Sequence, residues 1–154
     1  MYTIITRIKY EYAHRLIHHQ GKCRNIHGHS GEATIELIAD ALNNDGFVMD
    51  FGDIKTHLKK WMNECWDHAY LANENDPLLP GLRDSGMKIF TFSAEPSAEV
   101  MAQYLFEKVS KMDLRSGVKV ARVTIQETCT GLAVYELTAI TNLPSFGIEG
   151  GSVR

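Results

Sequence analysis

The amino-acid sequence predicts an α+β fold, in which a four-stranded antiparallel sheet carries two helices on one face. Two observations predict it. Apolar and polar residues alternate near both ends of the chain, and apolar residues recur at helical spacing in two segments between them. The resulting order is β, β, α, α, β, β. With 154 residues, the chain fits one domain, which we expect over residues 1–140, followed by a C-terminal tail over 141–154.

The first two strands are predicted over residues 2–14 and from His27 to Ala39, where every second side chain is mostly apolar. Between them lies a polar loop with a basic middle. This loop is long enough to return the second strand alongside the first. A turn containing Asn and Gly follows the second strand at residues 43–46.

The first helix is predicted at about residues 54–65, because apolar side chains recur there every three or four positions. Asp50 or Asp53 is available as its N-terminal cap. Residues 67–96 are expected to be mostly loop. This expectation rests on four residues that interrupt regular structure, Pro77, Pro80, Gly81 and Gly86.

A second helix is predicted over about residues 97–112, and two further strands follow over 118–127 and 132–140. A short turn around Thr130 and Gly131 joins these strands. A four-stranded sheet of this kind leaves two edge strands without a partner. We therefore expect copies of the chain to associate and cover these edges.

Composition and charge argue against several classes of protein. The net charge is −3 and there is no block of basic residues, so general nucleic-acid binding is not expected. No run approaches the roughly 18 consecutive apolar residues of a membrane span. The three cysteines are too few, and odd in number, for a disulfide framework. Because the N-terminus also lacks the pattern of a signal peptide, we expect a cytoplasmic protein.

The segment His27-Gly28-His29 carries the clearest chemical signal. Residues i and i+2 of a strand project from the same face, so the two imidazoles lie side by side. His14 ends the preceding strand on its apolar face, and the loop at 15–26 allows that strand to lie adjacent. Three imidazoles with no carboxylate nearby in sequence suit zinc with an open fourth position. The sequence thus predicts a zinc site.

Cys23 lies four residues before His27 and leaves two alternatives open. In one, the thiol is a fourth ligand and completes a closed, structural zinc site. In the other, it stays free and acts as a base. Zinc and the cationic neighbours Lys22 and Arg24 would favour the thiolate. Together with Arg15, these cations are also candidates for contact with an anionic substrate.

Asp67 and His68 form a second candidate pair. A carboxylate can orient an imidazole and stabilise its charged form. Adjacent loop residues often form such pairs without a function, so the pair by itself is only a weak indication.

The ordered set of motifs resembles the 6-pyruvoyltetrahydropterin synthase and 6-carboxytetrahydropterin synthase family over about residues 1–140. The resemblance is carried by short segments that occur in the order typical of the family. These segments are Ala13-His14-Arg15-Leu16, Cys23-Arg24-Asn25-Ile26-His27-Gly28-His29-Ser30, Val48-Met49-Asp50-Phe51, Asp67-His68-Ala69-Tyr70-Leu71-Ala72-Asn73, Pro96-Ser97-Ala98-Glu99 and Gln126-Glu127-Thr128.

The resemblance implies a tunnelling-type fold, whose sheet joins those of neighbouring subunits into an oligomeric barrel, commonly in a homohexamer built from two trimers. It implies that the substrate is 7,8-dihydroneopterin triphosphate and the cofactor Zn²⁺. It also implies a role for each of several site residues. The metal ligands are His14, His27 and His29; the catalytic residues are Cys23, Asp67, His68 and Glu127; the substrate-binding residues are Glu127, Ser97 and Glu99.

Within this resemblance, Cys23 is the proton acceptor, and Asp67 and His68 form a relay that delivers a proton. Glu127 anchors the pterin ring, because a carboxylate accepts two parallel N–H bonds from a guanidine-like edge. Two departures from the family pattern are Gly31, where many members carry an aromatic residue, and the tail beyond Ile140.

The interval from Cys23 to His27 resembles that of the bacterial 6-carboxytetrahydropterin synthases of the queuosine pathway. We therefore expect a zinc-dependent lyase that forms 6-carboxy-5,6,7,8-tetrahydropterin and releases acetaldehyde and triphosphate. The alternatives are a different zinc enzyme on the same fold and a non-enzymatic, zinc-stabilised module. The different enzyme would be a 6-pyruvoyltetrahydropterin synthase, which only eliminates triphosphate, or a side-chain-cleaving aldolase.

Overall fold

The computed structural model of the protein describes residues 1–137. Within this range, six strands form one sheet in the order β4-β3-β1-β2-β5-β6, accompanied by three α-helices. The predicted α+β class is confirmed. The predicted tail at 141–154 lies outside the described residues. In chain order the elements are β1 (Tyr2–His14), β2 (His27–Ala39), α1 (Phe51–Cys65), β3 (Ala69–Asn73), α2 (Leu79–Asp84), β4 (Ile89–Phe92), α3 (Ala98–Ser110), β5 (Lys119–Gln126) and β6 (Leu132–Glu136).

The centre of the sheet is the antiparallel pair β1 and β2. Each strand is 13 residues long, and pairing runs from Tyr2 opposite Ala39 to His14 opposite His27. Most of their inward residues are buried, whereas their outward residues are exposed or half-buried, as the alternation predicted. The predictions for both strands are confirmed to the residue, because each is defined by alternation along its whole length.

The sheet is larger than predicted and is mixed, not purely antiparallel. Strand β3 pairs parallel to β1, with Ala69 opposite Tyr12, and β4 pairs parallel to β3, with Phe90 opposite Leu71. The predictions of four strands and of a loop over 67–96 are therefore wrong. All residues of β3 and β4 are buried, so neither strand shows the alternation on which the prediction relied.

The two predicted helices are present and pack on one face of the sheet. Asp50 caps α1 by accepting a hydrogen bond from the Gly52 backbone N–H at 2.6 Å. Ser97 occupies the equivalent position before α3. Both helices contribute buried residues to the same core as β1, β2 and β5. None of the helices described here combines the length and the apolar character needed to cross a membrane.

The short helix α2, which was not predicted, packs on the opposite face of β3 and β4. Its Leu79 is buried with Tyr70, Ala72 and Ile89. These strands are therefore covered on both faces, as is usual for parallel strands.

Strands β5 and β6 form an antiparallel pair joined by a short turn, as predicted, and the pair lies beside β2. Glu32 of β2 lies opposite Gln126, the last residue of β5, so the hairpin turn lies next to the His27 end of β2. Strand β6 ends at Glu136, and residues 138–140 of the predicted strand lie outside the described range. Its Leu132 is 61% exposed and its Val134 45% exposed.

Candidate metal centre and adjoining cavity

Three histidine side chains converge where β1 ends and β2 begins. His14 lies directly opposite His27 in the ladder, and His29 projects from the same face as His27 two residues later. The ring centroids are 4.6 Å apart for His14 and His27, 5.1 Å for His14 and His29, and 5.0 Å for His27 and His29. One nitrogen of each ring lies within 4.8 Å of the others, so the group could hold a metal ion.

Backbone carbonyl groups orient two of these rings. His14 Nδ1 lies 2.8 Å from the Pro96 carbonyl oxygen, and His27 Nδ1 lies 2.8 Å from that of Asn25. A carbonyl oxygen accepts only, so each Nδ1 carries the proton and donates. The lone pair is then on Nε2, the usual arrangement for a histidine that binds a metal.

The Nε2 atom of His14 is buried and has no hydrogen-bond partner among the described residues. An unpaired buried acceptor is costly, and a bound cation would satisfy it. Burial lowers the pKa of His14, and the neighbouring His27 and His29 lower it further, although Pro96 and Glu127 act in the opposite direction. The ring is therefore neutral at neutral pH, the form that binds a metal.

A cavity of about 350 Å³ opens beside the three imidazoles. Besides the histidines, it is lined by the predicted base Cys23 and the predicted substrate-binding residues Ser97, Glu99 and Glu127. Segments distant in sequence meet here because the start of α3 and the hairpin turn after β5 lie beside the end of β1. A cavity of this size accepts a bicyclic ring with a short side chain.

Cys23 is held at the wall of this cavity by the loop between β1 and β2. It is the middle residue of a single 3-10 turn, Lys22–Arg24, and its carbonyl accepts a hydrogen bond from the Leu16 N–H at 2.8 Å. The thiol is free and half-buried. Cys23 does not belong to the group of mutually close ligand atoms, which among the described residues comprises the three histidines alone.

Glu127, directly after β5, extends its carboxylate to the edge of the histidine group. Oε1 accepts a hydrogen bond from the Tyr12 hydroxyl at 2.7 Å and lies 3.8 Å from His14 Nε2. Burial raises the pKa of Tyr12, and the charges of Tyr10 and Glu127 raise it further. The hydroxyl group therefore remains protonated and serves as the donor in this contact.

The predicted substrate-binding residues Ser97 and Glu99, at the start of α3, make different contacts. Ser97 Oγ accepts from the Val100 N–H at 3.5 Å and so caps the helix. Glu99 is exposed in the first helical turn at the mouth of the cavity, where its carboxylate also interacts favourably with the helix dipole.

The structure does not bring Asp67 and His68 into this cavity. His68 lines a second cavity, of about 470 Å³, together with Glu11 and Ser30, which project from the face of β1 and β2 opposite to the histidines. His29 borders both cavities. His68 Nδ1 lies 2.9 Å from Asp67 Oδ2, so the two side chains do form the predicted pair.

The backbone holds this pair in a specific conformation. His68 has a φ of 55°, in the left-handed region that residues other than glycine seldom adopt. Its N–H donates to the Glu11 carbonyl at 2.6 Å, and the Glu11 N–H donates to Asp67 Oδ1 at 2.8 Å. Burial alone would raise the pKa of Asp67, but the hydrogen bonds from Glu11 and His68 lower it below its ordinary value.

Arg15, a sequence candidate for anion contact, is engaged within the chain. Its guanidinium group donates to both carboxylate oxygens of Asp76, at 2.9 and 2.6 Å. Asp76 is fully buried and also accepts from the Tyr70 hydroxyl at 2.8 Å. This bidentate pair fixes the chain immediately after His14 to the segment between β3 and α2.

Tyr12 and Pro96 were not among the site residues predicted from the sequence. The signal for Tyr12 was present, since its position in the alternation places it on the face of His14 and His29. No sequence signal indicated Pro96, because it contributes a backbone carbonyl from a segment 82 residues away.

Comparisons with known proteins agree with this architecture. Residues 3–138 match the family model described as "6-pyruvoyl tetrahydropterin synthase". A 6-carboxy-5,6,7,8-tetrahydropterin synthase of Aquifex aeolicus is 36% identical over 124 residues, covering 75% of this chain and 76% of the relative. A synthase of the same name from Synechocystis sp. is 34% identical over 139 residues, covering 88% of this chain and 93% of the relative.

Solved structures show the same fold. An uncharacterized protein of Wolinella succinogenes superposes with a TM-score of 0.76 at 22% identity, covering 88% of this chain and 97% of that one. A 6-pyruvoyl tetrahydropterin synthase of Caenorhabditis elegans superposes with a TM-score of 0.65 at 23% identity, covering 89% of this chain and 96% of that one. At these identities the likeness concerns the fold alone, and it confirms the predicted tunnelling-type fold.

Proposed function

Because the chain belongs to the 6-pyruvoyl tetrahydropterin synthase family, we propose that it converts 7,8-dihydroneopterin triphosphate into 6-carboxy-5,6,7,8-tetrahydropterin. One water molecule is consumed, and acetaldehyde and triphosphate are the other products. The enzyme is a zinc-dependent lyase of 7-deazaguanine (queuosine) precursor synthesis. The observation that carries the proposal is the convergence of three imidazoles, a thiol and a carboxylate on one cavity of about 350 Å³. The 6-carboxy names of the Aquifex aeolicus and Synechocystis sp. relatives favour this product.

Zinc is the proposed metal, held by His14, His27 and His29. Three neutral nitrogen ligands with an open fourth position are typical of catalytic zinc sites. When bound there, zinc supplies a Lewis acid that polarises the side-chain oxygens of the substrate and makes the adjacent C–H bond more acidic.

The side chains of the cavity perform the remaining chemistry. Cys23 removes the proton from the substrate side chain, since it reaches the cavity without belonging to the metal-ligand group. Glu127 accepts N–H bonds from the pterin ring, which fixes the ring relative to the metal. Ser97 and Glu99 contact the substrate from the start of α3.

Asp67 and His68 deliver a proton as a relay, and we propose that they act on the cavity of a neighbouring copy. Within one chain, neither residue lines the cavity of Cys23, and His68 lines the second cavity instead. In the proposed homohexamer, His68 of one copy would lie beside the Cys23 cavity of another. The exposed apolar residues Leu132 and Val134 on edge strand β6 support such contacts.

Residues 1–140 act in this proposal as one catalytic domain, with 141–154 as a tail. The working compartment is the cytoplasm. Three free thiols, those of Cys23, Cys65 and Cys129, are typical of a reducing compartment.

Product analysis tests the proposed reaction. The purified protein, loaded with zinc, is incubated with 7,8-dihydroneopterin triphosphate, and the pterin products and acetaldehyde are identified by mass spectrometry. We expect 6-carboxytetrahydropterin with acetaldehyde in equal amounts, and neither product from a Cys23→Ala variant.

Two other outcomes assign the chain differently. A 6-pyruvoyl product without acetaldehyde would identify the other activity of the family, with the metal and base assignments unchanged. Absence of any pterin product, with zinc affinity lost on Cys23→Ala substitution, would indicate a non-enzymatic zinc-stabilised module in which the thiol is a fourth ligand.

A further inference from the structure

The side chain of Tyr12 connects the metal-ligand group to the carboxylate of Glu127. Its ring packs edge-on against His14 at a centroid distance of 5.2 Å and lies 5.5 Å from the ring of His29. Its hydroxyl group donates to Glu127 Oε1 at 2.7 Å. The ring is only 4% exposed, so it cannot adopt other orientations without displacing its neighbours.

The position of this ring depends on the absence of a side chain at Gly31. A Cβ atom at Gly31 would lie 3.0 Å from Tyr12 Cε1 and 3.0 Å from Tyr10 Cζ, closer than ordinary van der Waals contact. The rings of Tyr10 and Tyr12 stack across this space, with centroids 5.2 Å apart. Gly31 therefore provides the room in which the Tyr12 hydroxyl group reaches Glu127.

Without that hydrogen bond, Glu127 would be close enough to bind the metal. Its Oε1 lies 3.8 Å from His14 Nε2. Two ligand atoms of a tetrahedral zinc site, each about 2.0–2.1 Å from the ion, are separated by about 3.3–3.4 Å. The carboxylate is thus within about half an ångström of the separation expected for a fourth ligand. The Tyr12 hydroxyl group holds the oxygen that would make this contact.

We propose that Tyr12 is a positioning residue that restrains Glu127 beside the metal site and keeps the carboxylate out of the fourth ligand position. The hydroxyl group fixes Oε1, while Oε2 has no hydrogen bond to the described residues and is available to the N–H groups of a ligand. The part of this inference that concerns a pterin ligand rests on the proposed function. The restraint on metal coordination does not.

The test compares Tyr12→Phe with Tyr10→Phe. The hydroxyl group of Tyr10 is buried on the same face and has no partner among the described residues, so its removal is a matched control. For each protein we measure Zn²⁺ affinity by competition with a chelator, the visible spectrum of the Co²⁺-loaded form, and the dissociation constant of 7,8-dihydroneopterin by calorimetry.

In Tyr12→Phe, we expect the affinities for Zn²⁺ and for 7,8-dihydroneopterin to change in opposite directions. Zn²⁺ should bind about tenfold more tightly because a carboxylate ligand is gained, and 7,8-dihydroneopterin should bind about tenfold more weakly because its anchor is lost. The Co²⁺ spectrum should change in intensity and position, whereas Tyr10→Phe should match the wild type in all three measurements.

A purely structural role would give a different result. Unchanged metal affinity and an unchanged Co²⁺ spectrum in Tyr12→Phe would overturn the inference. So would weaker binding of both Zn²⁺ and 7,8-dihydroneopterin together with a lower melting temperature. If the metal shift occurred but no protein bound the pterin, the restraint would stand and the proposed function would fail.

Gly31→Ala provides a second, independent variant that retains both hydroxyl groups. The added methyl group should displace the Tyr12 ring and reproduce the tighter Zn²⁺ binding of Tyr12→Phe. Wild-type metal affinity in a folded Gly31→Ala protein would contradict the inference.

Discussion

At the scale of single residues, the metal site depends on two histidines supplied by one strand. We predict that a His27→Ala/His29→Ala variant retains less than about one tenth of the wild-type zinc, because a single imidazole binds zinc weakly. Elemental analysis after dialysis measures the content. His57→Ala, which removes an exposed histidine from α1, is the control and should keep the wild-type content. Full occupancy in the double variant would exclude this site as the metal centre.

Cys23 should be essential for turnover and dispensable for metal binding. Removing a catalytic base lowers rates by about 10²–10⁴-fold, so we expect a decrease of this size in kcat for Cys23→Ala, with zinc content unchanged. Cys129→Ala, which removes the exposed thiol of the β5–β6 turn, should behave as the wild type. Near-native turnover of Cys23→Ser at neutral pH would show that another group accepts the proton.

Some of the site residues could be predicted from the sequence alone, and others could not. His14, His27 and His29 could be predicted together because strand alternation alone places them on one face. The contact of Glu127 with Tyr12 joins residues separated by 115 positions. Such contacts depend on the order of strands in the sheet, which alternation within each strand does not determine.

At the scale of elements, the strands differ in how clearly the sequence indicates them. Strands β1 and β2 have one buried and one open face, so their alternation and limits are explicit. Strand β3 is buried on both faces by the core and by α2, and its sequence Ala-Tyr-Leu-Ala-Asn is neither alternating nor rich in β-branched residues. Its burial is a consequence of tertiary packing, which no local pattern could indicate.

The Arg15–Asp76 pair should be a main stabilising link between β1 and the segment that follows β3. Removing the charge of one partner in a buried ion pair typically lowers the free energy of unfolding by about 3–5 kcal/mol. We therefore expect Asp76→Asn to lower the free energy of unfolding, measured with urea, by about 3 kcal/mol. Glu64→Gln breaks an exposed pair with Lys60 and should cost less than about 0.5 kcal/mol. Equal effects of the two substitutions would contradict this ranking.

The same pair should make stability depend on pH. Burial by itself would raise the pKa of Asp76, but hydrogen bonds from Arg15, Leu78 and Tyr70 lower it below its ordinary value. Its contribution is therefore complete above about pH 4, the ordinary Asp value, and is lost as the pH falls through the lower folded value. The wild type should lose more stability than Asp76→Asn between about pH 5 and pH 2. If the free energy of unfolding fell equally with pH in the wild type and in Asp76→Asn, groups other than Asp76 would be responsible for the acid sensitivity.

At the scale of the whole molecule, the placement of Cys23 and His68 at different cavities has a direct test. If one site uses residues from two copies, Cys23→Ala and His68→Ala variants should each be inactive alone. After unfolding and refolding together, mixed oligomers should regain part of the activity, up to about a quarter per site when equal amounts of the two chains combine at random. No recovery in verified mixed oligomers would show that the relay does not act across copies.

Light scattering at micromolar concentration should give the mass of a homohexamer. A charged substitution on the edge strand, Val134→Lys, should lower the assembly state, since an edge lysine opposes strand pairing. The exposed Glu64→Gln variant should remain hexameric. A monomeric mass for the wild type would exclude both the hexamer and a site shared between copies.

The pairing of His14 with His27 links the group of three histidines to the register between β1 and β2. A slip of one residue between β1 and β2 would turn His27 and His29 to the other face. A slip of two residues in the direction that places Asn25 opposite His14 would move His27 about 7 Å along the strand from its position opposite His14. A chain mispaired in either of these ways would lack the group of three histidines, even if its hydrophobic pattern were partly satisfied. If the three histidines bind metal as proposed, the metal-to-chain ratio of a preparation reports the fraction of molecules in which this group has formed, and the bound ion stabilises correctly paired strands relative to these two mispaired forms.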